Sequence, residues 1–536
     1  SGAEGARSDP HEIATEVRAM GLPVLLKAVG GGGGRGQRLV TDETTLEEDI
    51  EGALREARST FGSEGLLLER FLPEARHVEV QIAGDGKGHV VHLFERDCTL
   101  QRRHQKVIEE APAWGLPRTL LDQIAQDAVR LGETLDYRGL GTVEFLVAGE
   151  EYFFLEVNPR IQVEHPVTEA ITGLDLVALH LRIAEGAGLG LVQDDLAING
   201  HAVEARLYAE DPAMQFAPST GTLTTLSLPD GLRIDSGVEE GDAVTPFYDP
   251  MIAKLIVHAP DRETALARLA TALDHVAVEG VQTNRAFLTA LARNPEFEQM
   301  QVHTRWIDGK LDALTQSGPL ARPELWKAAA AILFVAASRS DASANPWTNR
   351  DTFTGWRLGL GGGPIEVVQR VTLTDSADTS EELRVGPVKA RGRYTVLTEN
   401  GIAATLSMRE VAPGRWRVSE GDTVYLIDAR IHAGVIEMAT PEGRLVYRPA
   451  APLDFAGGDA AADRAVASPL TGMIVEIKVA DGQPVAEGDV IAVMESMKLE
   501  ISIRAAAAGI ASNISVSNGD MVDRGQVIAE ILPSEE

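Results

Sequence analysis

Apolar and polar positions change rhythm along the chain. From about residue 20 to residue 310, helical and strand periodicities alternate, beginning with the apolar strand Val24-Leu-Leu-Lys-Ala28. That alternation predicts a mixed α/β enzyme domain. From about 315 to 455 the pattern differs. An apolar helix over 323–338 comes first, and short strands of period two follow, for example 393–397 and 423–427. This stretch reads as a helix plus a β-rich module. Residues 456–465 are small and polar and read as a mobile linker. The C-terminal stretch then repeats itself at a shift of 37 positions: Gly472/Gly509, Ile477/Ile514, Gly482/Gly519, Val485/Val522, Gly488/Gly525 and Ile491/Ile528 are identical pairs. Each copy is a set of short strands between glycine turns, and two copies can pack face to face as a pseudo-symmetric β-sandwich. A hairpin, Glu495-Ser-Met-Lys-Leu-Glu500, is expected to join them.

Candidate chemistry lies on these elements. Gly30 to Gly34, then Arg35 and Gly36, follow the first strand, where glycine lets backbone N–H groups approach phosphate oxygens. The spacing is not that of the P-loop, which ends in Gly-Lys-Ser/Thr, and a plain flexible loop is the alternative. Lys27 on the strand can supply a point charge to phosphates. Thr142-Val-Glu144-Phe-Leu and Phe154-Leu-Glu156-Val-Asn158 flank a turn at Gly149-Glu150-Glu151. A hairpin about residue 150 puts Glu144 opposite Glu156, and facing carboxylates repel unless a cation lies between them. Oxygen ligands beside a nucleotide suggest Mg²⁺ or Mn²⁺. Glu156, Asn158, Arg160, Gln162 and Glu164 recur at period two and share one face if the chain stays extended. Alternating with Leu155, Val157, Ile161 and Val163, they read as a cleft lining rather than a solvated strand face.

Composition narrows the classes. The 536 residues, 44% of them hydrophobic, call for roughly three to five domains. The 49 basic and 80 acidic residues give a net charge of −31, which argues against nucleic acid and anionic membranes as main partners. Cys98 is the single cysteine, so no intrachain disulfide forms and a reducing compartment is expected. The N-terminus reads without a signal peptide. The most apolar helical stretch is interrupted by Lys327 and is shorter than the roughly 18 residues a membrane span needs.

Several motifs in order resemble the biotin carboxylase subfamily of the ATP-grasp fold: Leu26-Lys-Ala28 with its glycine loop, Arg76-His-Val-Glu-Val80, Glu95-Arg-Asp-Cys-Thr-Leu-Gln-Arg-Arg-His-Gln-Lys106, Glu156-Val-Asn-Pro-Arg-Ile-Gln-Val-Glu-His-Pro166 and Tyr248-Asp-Pro-Met-Ile-Ala-Lys254. Met494-Glu-Ser-Met-Lys498-Leu-Glu500 is similar to the biotinylation motif of biotin carboxyl carrier domains. Lipoyl domains share that fold but usually have Asp before the lysine and Ala after it, so Met497 and Leu499 favour biotin; an unmodified surface lysine is the bland reading. The resemblance implies a multidomain α/β chain: an ATP-grasp lid over 1–72, the central and C-terminal biotin carboxylase region over 73–312, a helix-plus-β-barrel docking domain over 315–455, the linker, and a biotinyl/lipoyl-type β-sandwich over 466–533. It also implies a Rossmann-like front domain with another ATP-contacting lysine, which this chain is expected to lack.

The resemblance further implies residue roles. Lys27 and the loop glycines Gly31, Gly32, Gly33 and Gly34 hold the ATP phosphates, while Glu69, Leu72, His77, Gln101 and His104 contact adenine and ribose. Glu144, Glu156 and Asn158 organise the metal ions. Lys106, Arg160 and Val163 bind bicarbonate, Glu164 is its general base, and Arg233 stabilises the biotin enolate. Arg70 and Pro159 depart from the lysine and threonine usual at those places. The implied reaction is carboxylation of biotin on Lys498 through carboxyphosphate.

No second catalytic domain is read after Lys498, so a separate carboxyltransferase β subunit is expected, and the resemblance implies a hetero-oligomer of the dodecamer-like α6β6 kind. Asn345-Pro-Trp347 and Gly355-Trp-Arg-Leu358 resemble the docking domain of methylcrotonyl-, geranyl- and propionyl-type carboxylases, and 3-methylcrotonyl-CoA is the expected acyl substrate, with geranyl-, propionyl- or acetyl-CoA as alternatives. Biotin protein ligase is the other implied partner. The implied compartment is the cytoplasm for a bacterial source and the mitochondrial matrix for a eukaryotic one. A non-catalytic carrier or scaffold subunit is the competing class.

Overall fold

The computed structural model of the chain describes residues 5–29, 36–63, 65–316, 322–340, 369–375, 379–387, 393–398, 401–432, 435–440, 443–449, 465–497, 499–523 and 525–532. The glycine loop Gly31 to Gly34, Lys498, nearly all of the linker and both tryptophan motifs at 345–347 and 355–358 lie outside the described residues.

The N-terminal part is a small two-layer unit. Helix α1 (Pro10–Met20) starts on Asp9, whose side chain accepts the free N–H groups of His11 and Glu12, with proline in its first turn. Strands β1 (Val24–Ala28) and β2 (Gln37–Val40), helix α2 (Leu46–Phe61) and strand β3 (Leu66–Arg70) follow, and the sheet order is β2-β1-β3. Val24, Leu26 and Ala28 point inward at period two and join Ile13, Val17, Leu46, Ile50 and Leu68 in one core. Lys27 therefore lies on the other face of β1, opposite Gln37 and Leu67 in register.

The central body is one antiparallel sheet. It contains β4 (Arg76–Asp85), β5 (Val90–Arg102), β6 (Gln105–Ala111), β7 (Arg138–Ala148), β8 (Glu151–Asn158), β9 (His201–Tyr208), β10 (Arg233–Ser236) and β11 (Met251–Ala259), in the order β10-β11-β9-β6-β5-β4-β7-β8. Between β6 and β7 lies α3 (Arg118–Thr134); between β8 and β9 lie α4 (His165–Thr172) and α5 (Leu176–Ala184). The side-chain period of two gives the sheet two different faces. On β4, Val78, Val80 and Ile82 pack under α3 with Val143 and Phe145. The intervening His77, Glu79 and Gln81 are buried on the opposite side. Cross-strand register aligns Arg96 with Glu79, Glu109 with Glu204, and Arg206 with Lys254. A polar layer thus crosses the sheet on the side where α4 packs over Ala111, Ala202 and Ile256.

Helix Pro323–Ser340 and eight strands from Gln369–Thr374 to Gly443–Pro449 form the next unit. Each strand pairs with the next, and the first closes on the last through Leu373 and Pro449, so the sheet is a closed barrel. Residues Leu325, Trp326, Ala328 to Leu333 are all buried and pack with Val385, Leu406 and Ile436. A helix that is apolar nearly all round needs cover on all sides, and the barrel strands provide it. The barrel touches the carboxylase region where Glu437 accepts the Gly280 N–H at 2.5 Å, Arg430 lies 3.5 Å from Glu279, and buried Arg285 donates to the Thr440 carbonyl.

The C-terminal unit has two four-stranded sheets. One contains Ala465–Ala467, Val527–Leu532, Gly509–Ser512 and Pro484–Val485; the other contains Leu499–Arg504, Val490–Ser496, Gly472–Ile477 and Met521–Val522, each in that spatial order. Repeat-related strands occupy equivalent places in the two sheets. The identity of Gly472 and Gly509 has a shared cause: a Cβ would come within 2.5 Å of the Glu495 carbonyl oxygen at one and 2.3 Å of the Leu532 carbonyl oxygen at the other. Met497, next to Lys498, lies buried in the left-handed region with φ 49°, and its N–H donates to the Pro246 carbonyl of the carboxylase region at 2.8 Å.

Candidate active site

Lys106 sits where the polar layer is densest. Its Nζ is 2.5 Å from Glu79 Oε2, 3.2 Å from Glu144 Oε1 and 2.5 Å from Glu164 Oε1. Burial works against a charged ammonium here, yet Cys98 and the three carboxylates raise its pKa well above the usual lysine value. Burial likewise works against ionisation of Glu79, but Lys106 and Arg96 hold its pKa down at about 2. Arg96, fully buried, keeps the site in place. Its guanidinium donates to Glu79 at 2.6 Å, Gln81 at 2.8 Å, Thr168 at 2.9 Å, Gln162 at 3.1 Å and Thr142 at 3.2 Å.

The β7–β8 hairpin turns at Gly149, φ 64°, and its register places Glu144 directly opposite Glu156. Asn158 Nδ2 donates to Glu144 Oε1 at 2.9 Å and to Glu156 Oε1 at 3.4 Å. Gln162 Nε2 adds a second donor to Glu144 at 2.9 Å, and His77 Nε2 lies 3.3 Å from Glu144 Oε2. Burial pushes the Glu144 pKa up, but His77, Lys106 and Gln162 outweigh it and keep the carboxyl below the ordinary range. Two carboxylates with an amide between them are a hard-oxygen donor set of the kind that Mg²⁺ or Mn²⁺ takes. Glu144, Glu156 and Asn158 fit such an ion.

The strand does not continue to Glu164 as an extended chain. It ends at Asn158, because Pro159 has no N–H to donate and the Arg160 N–H turns back to the Asn158 carbonyl at 2.9 Å. The period-two face therefore splits. Gln162 and Glu164 are buried and converge on Glu144 and Lys106, whereas Arg160 is exposed and bonds the neighbouring Ile161 carbonyl. Val163 contributes its carbonyl, which accepts from Lys254 Nζ at 2.8 Å.

Other candidate residues lie elsewhere. Glu69 is on β3 and Leu72 just follows it, both joined to the N-terminal unit; Gln101 and His104 flank the tip of the β5–β6 hairpin. Arg233 is not against Glu164. Its side chain, 42% exposed, is held by Glu169 at 2.6 Å and Asp235 at 2.9 Å. The arginine on Glu164 is Arg206, whose Nη2 lies 2.9 Å from Oε2 and also pairs with Glu109. The sequence reading passed over Arg206. Its signal was Glu204 and Arg206 at period two inside the otherwise apolar strand Ala202-Val-Glu-Ala-Arg-Leu207, a strand buried along its whole length.

Comparison with known proteins accords with this arrangement. Residues 1–192 match the ATP-binding domain of the carbamoyl-phosphate synthase L chain, residues 204–309 the biotin carboxylase C-terminal domain, and residues 464–531 the biotin-requiring enzyme domain. The chain is 36% identical over 535 residues to the mitochondrial methylcrotonoyl-CoA carboxylase subunit alpha of Mus musculus, covering 96% of this chain and 73% of that one. It is 34% identical over 565 residues to the mitochondrial propionyl-CoA carboxylase alpha chain of Homo sapiens, covering 99% and 73%. Among solved structures it is similar to the biotin carboxylase domain of Hydrogenobacter thermophilus 2-oxoglutarate carboxylase in complex with MgADP, ADP and bicarbonate. The TM-score is 0.56 and the identity 40%, over 58% of this chain and 70% of that one. The chain belongs to the alpha subunits of the biotin-dependent acyl-CoA carboxylases, which join an ATP-using biotin carboxylase to a biotin carrier domain.

Proposed function

We propose that the chain carboxylates biotin attached to Lys498, using ATP and bicarbonate, and that a separate carboxyltransferase subunit passes the carboxyl group to 3-methylcrotonyl-CoA. The observation that carries the catalytic part is the Lys106 contact set, with Nζ 2.5 Å from Glu164 and 3.2 Å from Glu144. One cation joins a candidate base to a candidate metal ligand.

Bicarbonate is an anion and needs cationic donors; Lys106 and Arg206 lie on either side of Glu164 and supply them. Glu164 takes the bicarbonate proton at a carboxylate oxygen, which leaves the anion able to attack phosphorus. Glu144, Glu156 and Asn158 would hold the divalent ion, which when bound neutralises charge on the transferring phosphoryl group. Lys27 with the glycine loop cradles the phosphates, and Glu69, Leu72, Gln101 and His104 border the nucleoside. His77 lies 3.3 Å from Glu144, beside the metal ligands. Arg206, on its contact with Glu164, is a better candidate than Arg233 for holding the biotin enolate. Biotin protein ligase loads Lys498, and the barrel unit within 315–455 docks the carboxyltransferase; the lid over 1–72 and the carrier over 466–533 complete the division of labour.

The retained Lys106, Glu144, Glu156 and Glu164 favour an active enzyme over a bare carrier. The likeness to methylcrotonoyl-CoA carboxylase alpha subunits favours 3-methylcrotonyl-CoA; the comparable likeness to a propionyl-CoA carboxylase makes propionyl-CoA the second reading. Membrane-spanning helices are absent among the described residues. Two measurements test the proposal. Glu164→Gln is expected to retain ATP binding while losing on the order of 10²–10⁴ in bicarbonate-dependent ATP cleavage with free biotin; near-normal turnover would remove the base role. The complex isolated with its carboxyltransferase, supplied with labelled bicarbonate and a panel of acyl-CoAs, is expected to label 3-methylcrotonyl-CoA first.

A further inference from the structure

Glu109 on β6 and Glu204 on β9 are direct cross-strand partners, and both are fully buried. Side chains so placed have Cβ atoms about 4.5–5.5 Å apart. Apart from the Arg206 ion pair on Glu109, none of their four carboxylate oxygens has a hydrogen-bond donor among the described residues. Two carboxylates in one dry layer cannot both stay ionised. The charged groups facing the pair are Arg206 on β9, Lys254 on β11, Lys106 at the start of β6, Glu164 ahead of α4, and the buried Cys98 thiol on β5. Arg206 is the link to the reaction, since its Nη2 contacts both Glu109 and Glu164.

We propose that Glu109 and Glu204 are positioning residues that share a retained proton and, through Arg206, set the place of Glu164 and the strength of its ion pair. This rests on the base role proposed for Glu164. Burial, with Glu109 as neighbour, raises Glu204 well above the usual carboxylate value. Burial raises Glu109 to about 7 against the pull of Arg206. Glu204 is thus the better proton holder, and Glu109 is the member that competes with Glu164 for Arg206. The mechanism does not otherwise use either residue, and an apolar pair at these two places would fill the layer without any desolvation cost.

The pH profile of kcat/KM for bicarbonate in the biotinylated protein tests the assignment. Glu109→Gln leaves Arg206 with Glu164 as its remaining carboxylate, which tightens that ion pair. The acid limb is expected to move to lower pH and the maximum to fall, because the base is weaker. Glu204→Gln keeps a neutral side chain beside Glu109, so its acid limb is expected to coincide with that of the unsubstituted protein. An unmoved limb in Glu109→Gln, or equal shifts in both variants, overturns the proposal. Infrared spectroscopy gives a readout independent of turnover and of the role of Glu164. The unsubstituted protein is expected to show the band of a buried protonated carboxyl at neutral pH, and the double variant Glu109→Gln with Glu204→Gln to lack it. Absence of that band from the unsubstituted protein also overturns the proposal, whereas an active Glu164→Gln variant that keeps the band would discard only the base role.

Discussion

Lys106 Nζ and Glu164 Oε1 are 2.5 Å apart in a layer of the sheet where both side chains are almost wholly covered. Neither charge could stay there alone, because the cost of burying an ion is met only by a close partner. The same ammonium reaches Glu79 and Glu144, so the lysine holds three carboxylates together.

Removal of that ammonium is expected to affect folding and turnover together. Lys106→Met leaves Glu79, Glu144 and Glu164 without their shared cation, and breaking a buried pair costs about 3–5 kcal/mol. Urea unfolding should show a loss in that range, and bicarbonate-dependent ATP cleavage should fall by at least about 10². A variant with full stability and a hundredth of the turnover would mean that Lys106 serves the anion alone. A variant with normal turnover would remove it from the site.

The opposition of Glu144 and Glu156 was legible because a period-two pattern on both sides of a short glycine turn leaves few registers open. The repeat at a shift of 37 was legible for a similar reason: glycines that cannot carry a Cβ recur with the strands they serve. The course of 158–164 was not. Pro159 ends the strand, and no local pattern tells that Gln162 and Glu164 will fold back while Arg160 stays outside. Arg206 was missed because its partners, Glu164 and Glu109, are 42 or more residues away and only the sheet order β9-β6 brings them together. Arg233 carries a conspicuous charge at a strand start, but a charge pattern does not reveal that Glu169 and Asp235 hold it.

Acid should separate the roles of the two cations on Glu79. The pKa of this carboxyl is held at about 2, below its ordinary value of 4.5, by Lys106 and Arg96 against the effect of burial. A depressed folded-state pKa contributes stability that is present above the unfolded value and lost as pH falls from 4.5 towards 2. Arg96→Leu removes one cation and leaves Gln81, Gln162 and two threonines without their common donor. Acid unfolding is expected to begin at higher pH than in the unsubstituted protein, with a loss of about 3–5 kcal/mol at neutral pH. Circular dichroism against pH gives the midpoint, and an unmoved midpoint would show that Lys106 alone sets the Glu79 carboxylate.

The barrel offers a way to test docking without touching the carboxylase. Trp326 is fully buried on the helix inside it and meets Tyr425 edge-on at 5.3 Å between ring centroids. Trp326→Ala opens a cavity at the centre of that core, at a cost of about 3–5 kcal/mol. The barrel should melt earlier while free-biotin carboxylation persists, since its core is separate from those around Lys106. If the barrel docks the carboxyltransferase, the partner is lost from affinity-purified complexes at temperatures where the barrel has melted. A stoichiometric complex above that melting step would place the docking surface elsewhere.

Biotin attachment is the prediction with the least dependence on the carboxylase site. The motif Met494-Glu-Ser-Met-Lys498 lies between the two copies of the repeat, where strands Val490–Ser496 and Leu499–Arg504 pair as a hairpin. Met494 and Ile503 are buried in the sandwich core, so packing anchors both strands of the hairpin. Lys498→Arg keeps the charge but presents a guanidinium, which stays protonated and is no acyl acceptor. The variant is expected to fold with an unchanged melting profile of the carrier unit and to bind no streptavidin on a blot, while its ATP cleavage with free biotin continues. Streptavidin binding retained by Lys498→Arg would put the attachment point on another lysine, and Lys478 on the same sandwich would be the next to substitute.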